Sequence, residues 1–302
     1  MPIETPVKPA AAEREPASAA AAEGAVAVSD AVDTTETAIA EPAAPAAPRP
    51  GDAYVQSFAR GLAVLRSFGP DAPAQTLSGA AARSGMTRAG ARRILLTLQQ
   101  LGYVEVEGRL FRLTPKVLEL GFAYLGSQPV WRLAQPAMEE LAHDLRESCS
   151  AAVLDGDDIV YVLRVPANKI MAITLGVGSR LPAYCTSMGR VLLAGLPAPE
   201  RRARVGRMTL APRTARTVTD PAQLLATLEQ VRRDGHALVH GELEEGLVSM
   251  AAPIVNRAGR VVAAINVSAQ DQRMPPEEMR KRLLPRLLET AAGINTLMRL
   301  QD

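Results

Sequence analysis

The chain has 302 residues, 47% of them hydrophobic and 3% aromatic, with two cysteines and a formal net charge of +2. That is enough apolar material for two domains with buried cores, and no stretch approaches the roughly 18–20 unbroken apolar residues of a membrane span. The start lacks a signal-peptide pattern, Cys149 and Cys185 cannot build a disulfide framework or a zinc knuckle, and the scarcity of aromatics argues against single-strand binding on stacking platforms; the expectation is a cytoplasmic protein with reduced thiols, no membrane partner, and duplex as the form of any nucleic-acid partner.

Charge is unevenly spread. Residues 1–50 carry eight acidic and three basic side chains, with 17 alanines and 8 prolines, whereas residues 51–116 carry nine basic and four acidic ones. The first segment has too few large apolar side chains to offset its ordering entropy, and its prolines interrupt any alanine helix, so 1–52 reads as a disordered tail. The second, basic segment suits a polyanion.

From Tyr54, the run YVQSFARGLAVLRSF puts Val55, Phe58, Leu62, Leu65 and Phe68 at three-to-four spacing and predicts an amphipathic helix. GPDAP is a turn. Thr76 or Ser78 can cap a short helix, LSGAAARSG, that stops at Gly85; Thr87 caps a third, TRAGARRILLTLQQL, closed by Gly102. YVEVE and RLFRL, joined by Gly108, read as a hairpin. Over 53–114 this order is a winged helix-turn-helix.

Its third helix clusters Ile94, Leu95, Leu98 and Leu101 on one face and turns Ala89, Arg92, Arg93 and Gln100 away. A small, cationic outward face near the helix start suits double-stranded operator DNA, with Thr87, Arg88, Arg92 and Arg93 as base and phosphate contacts. Arg109 and Arg112 of the wing would clamp flanking backbone or minor groove, and Ser78 would bond a phosphate. The bland alternative is a solvated basic surface; the order of elements and the local charge excess weigh against it.

Thr114-Pro115 starts a linker helix that runs to a break at Gln128-Pro129, giving 115–130 as a connector. Beyond the helix LAQPAMEELAHDLRES, SAAVLDGDDIVYVLRV reads as two strands around an Asp-Gly turn and IMAITLGV as a third. Helices near 185–196 and 221–234 alternate with strands near 237–240, 248–255 and 260–268. A last helix near 276–300 should kink at Pro285. Residues 131–302 are therefore an α+β domain with a largely antiparallel sheet.

Within it, LPAYCTSMGRVLLAGL concentrates small polar residues before a helix. Cys185 would be a nucleophile if a histidine and an acid joined it, but His143, His236 and His240 carry no signal placing them there, and no nucleophile elbow or phosphate loop occurs. The enzyme reading is disfavoured, with no cofactor and no metal expected. The other reading is an anion site for a small carboxylate at a helix start, built from Thr186, Ser187, Met188 and Gly189. Ile170, Ile173, Leu247, Ser249, Asn266 and Ser268 would be its walls. The bland alternative is that Thr186 and Ser187 do no more than cap a buried helix, and the two roles are compatible.

These segments, with GSRLPAYCTSMGRVLLAGL and GLVSMAAPIVNRAGRVVAAINVS among them, resemble the isocitrate-lyase-regulator (IclR) family of bacterial transcription factors over about residues 54–300. Within it the chain resembles the regulators of aromatic-acid catabolism through the β-ketoadipate pathway, on YVQSFARGL, LTPKVLELGFAYL and TSMGRVLLAGL. The resemblance implies a winged-helix domain, a linker helix that dimerises it, and a GAF-like effector domain in a dimer or tetramer. The implied pocket places Ser187 and Met188 at the loop, Ile170 and Ile173 on the third strand, and Ser249, Asn266 and Ser268 on the strands after the GLVS turn. One departure stands out: where many members have an acidic run before that turn, this chain has Val239-His240-Gly241-Glu242, a change that favours a larger or aromatic acid such as protocatechuate, 4-hydroxybenzoate or β-ketoadipate. Activator and repressor both remain open, as does a DNA-binding protein without an effector.

Overall fold

The computed structural model describes residues 54–127, 129–167 and 175–300. The tail over 1–52, Ile170 and Ile173, and most of the strand expected around them lie outside the described residues.

The basic segment forms helix α1 (Gln56–Arg66), strand β1 (Ala74–Thr76), helices α2 (Leu77–Arg83) and α3 (Arg88–Gln100), and strands β2 (Val104–Glu107) and β3 (Leu110–Leu113). Thr76 and Thr87 cap α2 and α3, each accepting at 3.2 Å from a glycine N–H three residues on, Gly79 and Gly90. Ser78 is thus inside α2 rather than at its cap. Gly85, Gly102 and Gly108 sit at φ of 65°, 81° and 62°, the left-handed turns that only glycine takes without cost. The sheet order β1-β3-β2 encloses Val64, Phe68, Ala80, Leu95, Leu98 and Val104. Strand β1 was missed because three residues beside a Pro-containing turn carry no period.

Two apolar groups expected inside are outside. Phe58 and Leu62 of α1 are 68% and 41% exposed, and Val64 is the residue that α1 buries. Leu101 caps the end of α3 and is 54% exposed, while Ala91 completes the buried face of that helix.

A 3-10 turn (Pro115–Val117) leads into α4 (Leu118–Gly126), in which every residue but Leu125 is exposed. The turn is tied to the end of α3: the Thr114 hydroxyl donates to the Gly102 carbonyl at 2.5 Å, and Lys116 Nζ donates to the Leu101 carbonyl at 3.0 Å.

The remainder is α5 (Pro129–Leu145), β4 (Ser148–Asp155), β5 (Asp158–Val165), β6 (Arg180–Pro182), α6 (Ser187–Ala194), α7 (Ala198–Arg207), α8 (Pro221–Asp234), β7 (Ala237–His240), β8 (Leu247–Val255), β9 (Val261–Gln270), α9 (Pro276–Arg282) and α10 (Leu284–Leu300). The six strands pair antiparallel in the order β6-β5-β4-β9-β8-β7. The end of the chain is two helices divided at Leu283, since a proline sits comfortably in a first turn but not in a helix interior. Helix α7 was missed because its charged sequence, APERRARVGR, lacks a continuous apolar stripe.

Strand alternation sorts the side chains to two faces. Cys149, Ala151, Val248, Met250, Ala252, Ile265 and Val267 pack with residues of α5, α9 and α10 on one side. Ala152, Tyr161, Ala237, Ala251 and Ala264 meet α6 and α8 on the other. Alanines dominate this second face, so α6 can approach closely, and all eight of its residues are buried. Truncating Ile265→Ala on the first face should cost about 2–5 kcal/mol in urea unfolding, the range for cavity-forming core substitutions.

Candidate functional site

Two surfaces carry functional chemistry, and the first is the outer face of α3. Thr87, Arg88, Arg92 and Arg93 are all exposed there, with Arg109 exposed at the wing turn and Ser78 exposed at the start of α2. Arg112 is half-buried on β3 and pairs with Glu107 at 3.3 Å. Among the described residues this is the one carboxylate pairing in the winged module, so the cations on α3 are offered to solvent.

The second surface is a cavity of about 660 Å³ between the α6 side of the sheet, the loop before α6 and the segment 239–247. It is assembled from the corner at Ala183–Gly189. Thr186 caps α6, its Oγ1 accepting from the Gly189 N–H at 3.2 Å and donating to the Pro182 carbonyl at 3.1 Å. Gly189 must be glycine: a Cβ there would lie 2.1 Å from the Ala183 carbonyl oxygen. Among the hydrogen bonds of the described residues, the Ser187 and Met188 N–H groups find no acceptor, as the first turn of a helix dictates.

Pairing across the sheet sets the cavity floor. Val239 lies opposite Ser249, Ser249 opposite Ser268, and Ser268 opposite Ser148. Asn266 is two residues from Ser268 on the same face, opposite Ser150, which in turn faces Arg164. The Ser249 hydroxyl donates to Ser187 Oγ at 2.9 Å, so the Ser187 proton remains to donate elsewhere. Asn266 is 5% exposed, and its Oδ1 is buried without a partner. Such an orphan costs about 1–3 kcal/mol unless something fills the site.

Of the expected ligand contacts, Thr186, Ser187, Met188, Val239, Leu247, Ser249, Asn266 and Ser268 line this one cavity. Gly189 does not line it; its part is the close approach to Ala183. Ile170 and Ile173 fall outside the described residues. His240 is not a wall residue either: its Nδ1 accepts from Arg216 Nη1 at 2.7 Å, and its Nε2 pairs with the Asp271 carboxylate at 2.8 Å. The same contact holds the Asp271 carboxyl below its usual range.

Sequence reading missed Glu147, Tyr161, Arg164, Glu244 and Arg273, which line the cavity too, as does Cys185. Strand alternation could have found Tyr161. Glu147 and Arg273, joined at 2.8 Å, are far apart in the chain and carry no local signal.

Buried charge fixes the wall. Arg190 on α6, 4% exposed, donates from Nη2 to Glu242 Oε2 at 2.6 Å and from Nε to the Tyr184 carbonyl at 3.1 Å. Burial pulls the Arg190 guanidinium down from its usual range, and Glu242 opposes that. The Val218 N–H adds a bond to the same carboxylate oxygen at 3.3 Å. Beside this pair, burial first and then the Glu242 charge push the Cys185 thiol up to about 11. Near pH 7 Cys185 is therefore held as the thiol, the weakly nucleophilic form of the group.

The comparisons with known proteins agree on both halves. The IclR helix-turn-helix domain family matches residues 57–108, and the bacterial transcriptional regulator IclR C-terminal family matches residues 122–296. The Pca regulon regulatory protein of Pseudomonas putida is 43% identical over 242 residues, covering 80% of this chain and 83% of its own. The p-hydroxybenzoate hydroxylase transcriptional activator of Acinetobacter baylyi is 34% identical over 250 residues, covering 81% and 92%. The crystal structure of an IclR homolog from Microbacterium hydrocarbonoxydans, complexed with 4-hydroxybenzoate, superposes with a TM-score of 0.71 at 28% identity, covering 81% of this chain and all of that one.

Two outcomes follow from the corner and the ion pair. Gly189→Ala should destabilise the fold by about 1–3 kcal/mol or more in urea unfolding, because its clash is with backbone. Glu242→Gln should cost about 3–5 kcal/mol in the same measurement, since it strips a buried cation of its counter-charge.

Proposed function

This chain belongs to the IclR family of bacterial transcriptional regulators, and from that premise we propose that it binds duplex operator DNA through α3 and the wing and answers to a small carboxylic acid held in the sheet cavity. In this reading 53–114 is the DNA-binding domain, 115–130 the connector and 131–302 the effector domain, in a cytoplasmic protein that is not an enzyme. The observation that carries it is the cavity itself: helix-start donors, the Ser187 and Ser249 hydroxyls and an unpartnered buried Asn266 converge on one space of about 660 Å³. That is chemistry for a carboxylate with an apolar body.

Relatives named for the Pca regulon and for p-hydroxybenzoate hydroxylase, and a related structure holding 4-hydroxybenzoate, support an aromatic acid or a product of its breakdown as effector. Val239, an apolar side chain on the cavity wall, supports an apolar body on that acid.

The protein acts as a homo-oligomer, dimer or tetramer. Phe58 and Leu62 on α1 and Leu118, Leu120, Phe122 and Tyr124 on α4 leave 41–68% of their surface in water. Apolar area of that size on two helices favours a second copy, at about 1.5–3 kcal/mol for each large side chain fully buried. An effector that prefers one dimer arrangement tenfold shifts operator occupancy by about 1.4 kcal/mol of coupling.

Replacing both Arg92 and Arg93 by alanine should weaken operator binding and flatten its salt dependence by about one unit of slope per lost phosphate contact, in fluorescence anisotropy at several salt concentrations; unchanged slope and affinity would remove α3 from the interface. Ser187→Tyr should abolish binding of 4-hydroxybenzoate and protocatechuate in calorimetry while leaving operator affinity in place. Cys185→Ala should leave acid binding intact; a loss of turnover of any such acid would instead restore the enzyme reading.

A further inference from the structure

One wall of the cavity, residues 241–246, is a loop on two glycine feet. Gly241 and Gly246 take φ of 67° and 76°, and the feet are joined where the Gly241 N–H donates to the Leu247 carbonyl at 2.7 Å. Glu242, Leu243 and Glu244 of the loop line the cavity, with Glu242 buried, Leu243 half-buried and Glu244 exposed. The loop covers the cavity and pivots at glycine on both sides.

Each foot has its own grip. At the first, Thr214 donates to the Gly241 carbonyl at 2.6 Å and Thr217 to the Glu242 carbonyl at 2.7 Å. Arg216, between these threonines, lies against the same foot: a Cβ on Gly241 would be 3.1 Å from Arg216 Cδ. At the second, the Asp271 N–H donates to the Gly246 carbonyl at 2.8 Å, and a Cβ on Gly246 would be 3.8 Å from Asp271 Oδ1. His240, the last residue of β7, joins the two grips. Its Nε2 is 2.8 Å from Asp271 Oδ2, and Arg216 Nη1 lies against its ring, 2.7 Å from Nδ1 and 3.2 Å from Nε2.

This clasp depends on the charge of His240. A neutral imidazole offers a lone pair to Arg216 and a proton to Asp271, whereas an imidazolium has no lone pair left and carries the same charge as the guanidinium pressed against it. Protonation breaks the Arg216 half and keeps the Asp271 half. Histidine is the side chain that ordinarily changes charge between about pH 5 and 8. The other charges around the loop are committed or in solvent: Glu242 is paired with Arg190, Arg273 beyond Asp271 is paired with Glu147, and Glu244 and Glu245 are exposed. Opposite His240 on β8 stands the apolar Val248.

We infer that His240 is a positioning residue that latches the 241–246 loop over the cavity through Arg216 and Asp271, so that a bound acid is held less tightly and released faster as the pH falls. This rests on the cavity being the effector pocket. Neutral His240 closes the latch, so affinity is full above the histidine range and declines through it.

The test is calorimetry and stopped-flow displacement of 4-hydroxybenzoate from the full chain between about pH 8 and about pH 5.5, for the wild type, His240→Gln and His240→Leu. Wild-type release should speed up, and its Kd rise, at least fivefold across that range. The glutamine amide can accept from Arg216 and donate to Asp271 without titrating, so His240→Gln should keep slow release and change less than twofold with pH. His240→Leu, with neither bond, should release at least fivefold faster than wild type at pH 8 and lose the pH response. Binding at pH 8 with a flat wild-type profile overturns the latch and leaves the pocket standing, and it decides even if neither variant folds. A full wild-type pH response in His240→Gln overturns the latch as well, as does wild-type release at pH 8 in His240→Leu. No binding of 4-hydroxybenzoate at pH 8 overturns the pocket reading and this inference together.

Discussion

A charged guanidinium on a fully buried helix is the constraint around which the effector half is arranged. Arg190 sits in the middle of α6, whose eight residues are all buried, and an unpaired cation there would cost several kcal/mol. Its counter-charge comes from Glu242, far along the chain, and Glu242 is itself held by the 214–218 segment: Thr217 donates to its carbonyl at 2.7 Å and Thr214 to that of Gly241 at 2.6 Å. Satisfying one charge therefore fixes the start of α6, the 240–246 wall and the segment behind it at once. The cavity is the space left between these pieces and the sheet.

The second constraint is the contact of Gly189 with Ala183, which brings α6 down onto a sheet face paved with alanine. Nearer the strand ends that face changes from Ala152, Ala251 and Ala264 to Asn266, Ser249, Ser268 and Ser148. The apolar part holds the helix, and the polar part is left for something else. Asn266 stands at the border, buried yet without a partner for its oxygen. In the winged module, hydrogen bonds from Thr114 and Lys116 tie the segment before α4 to the end of α3, the helix that carries Arg88, Arg92 and Arg93.

Much of this is written locally. Thr76, Thr87 and Thr186 stand where the caps are, glycines mark the left-handed turns, and alternation sorts β4, β5, β8 and β9 into two faces. Eight of the eleven residues expected at the pocket line it, because strand period and helix start are properties of short segments. What depends on distant pairing was illegible. No pattern near Glu147 announces Arg273, and none near Arg190 announces Glu242. The apolar stripe of α1 has helical spacing, yet spacing says only that one face is apolar and not whether this chain or another copy covers it; Phe58 and Leu62 face water. His240 looked like a wall residue from its neighbours in sequence, and its bonds to Asp271 and Arg216 turn it elsewhere.

Methionine methyl spectroscopy tests the central claim most directly, since Met188 lines the cavity while Met250 is buried on the opposite face of the sheet. With ¹³C-labelled methionine methyls, titration of the full chain with 4-hydroxybenzoate should move the Met188 resonance in a saturable way and leave Met250 nearly unmoved. Saturable binding that shifts other methionines and leaves Met188 in place would put the acid elsewhere and contradict the account.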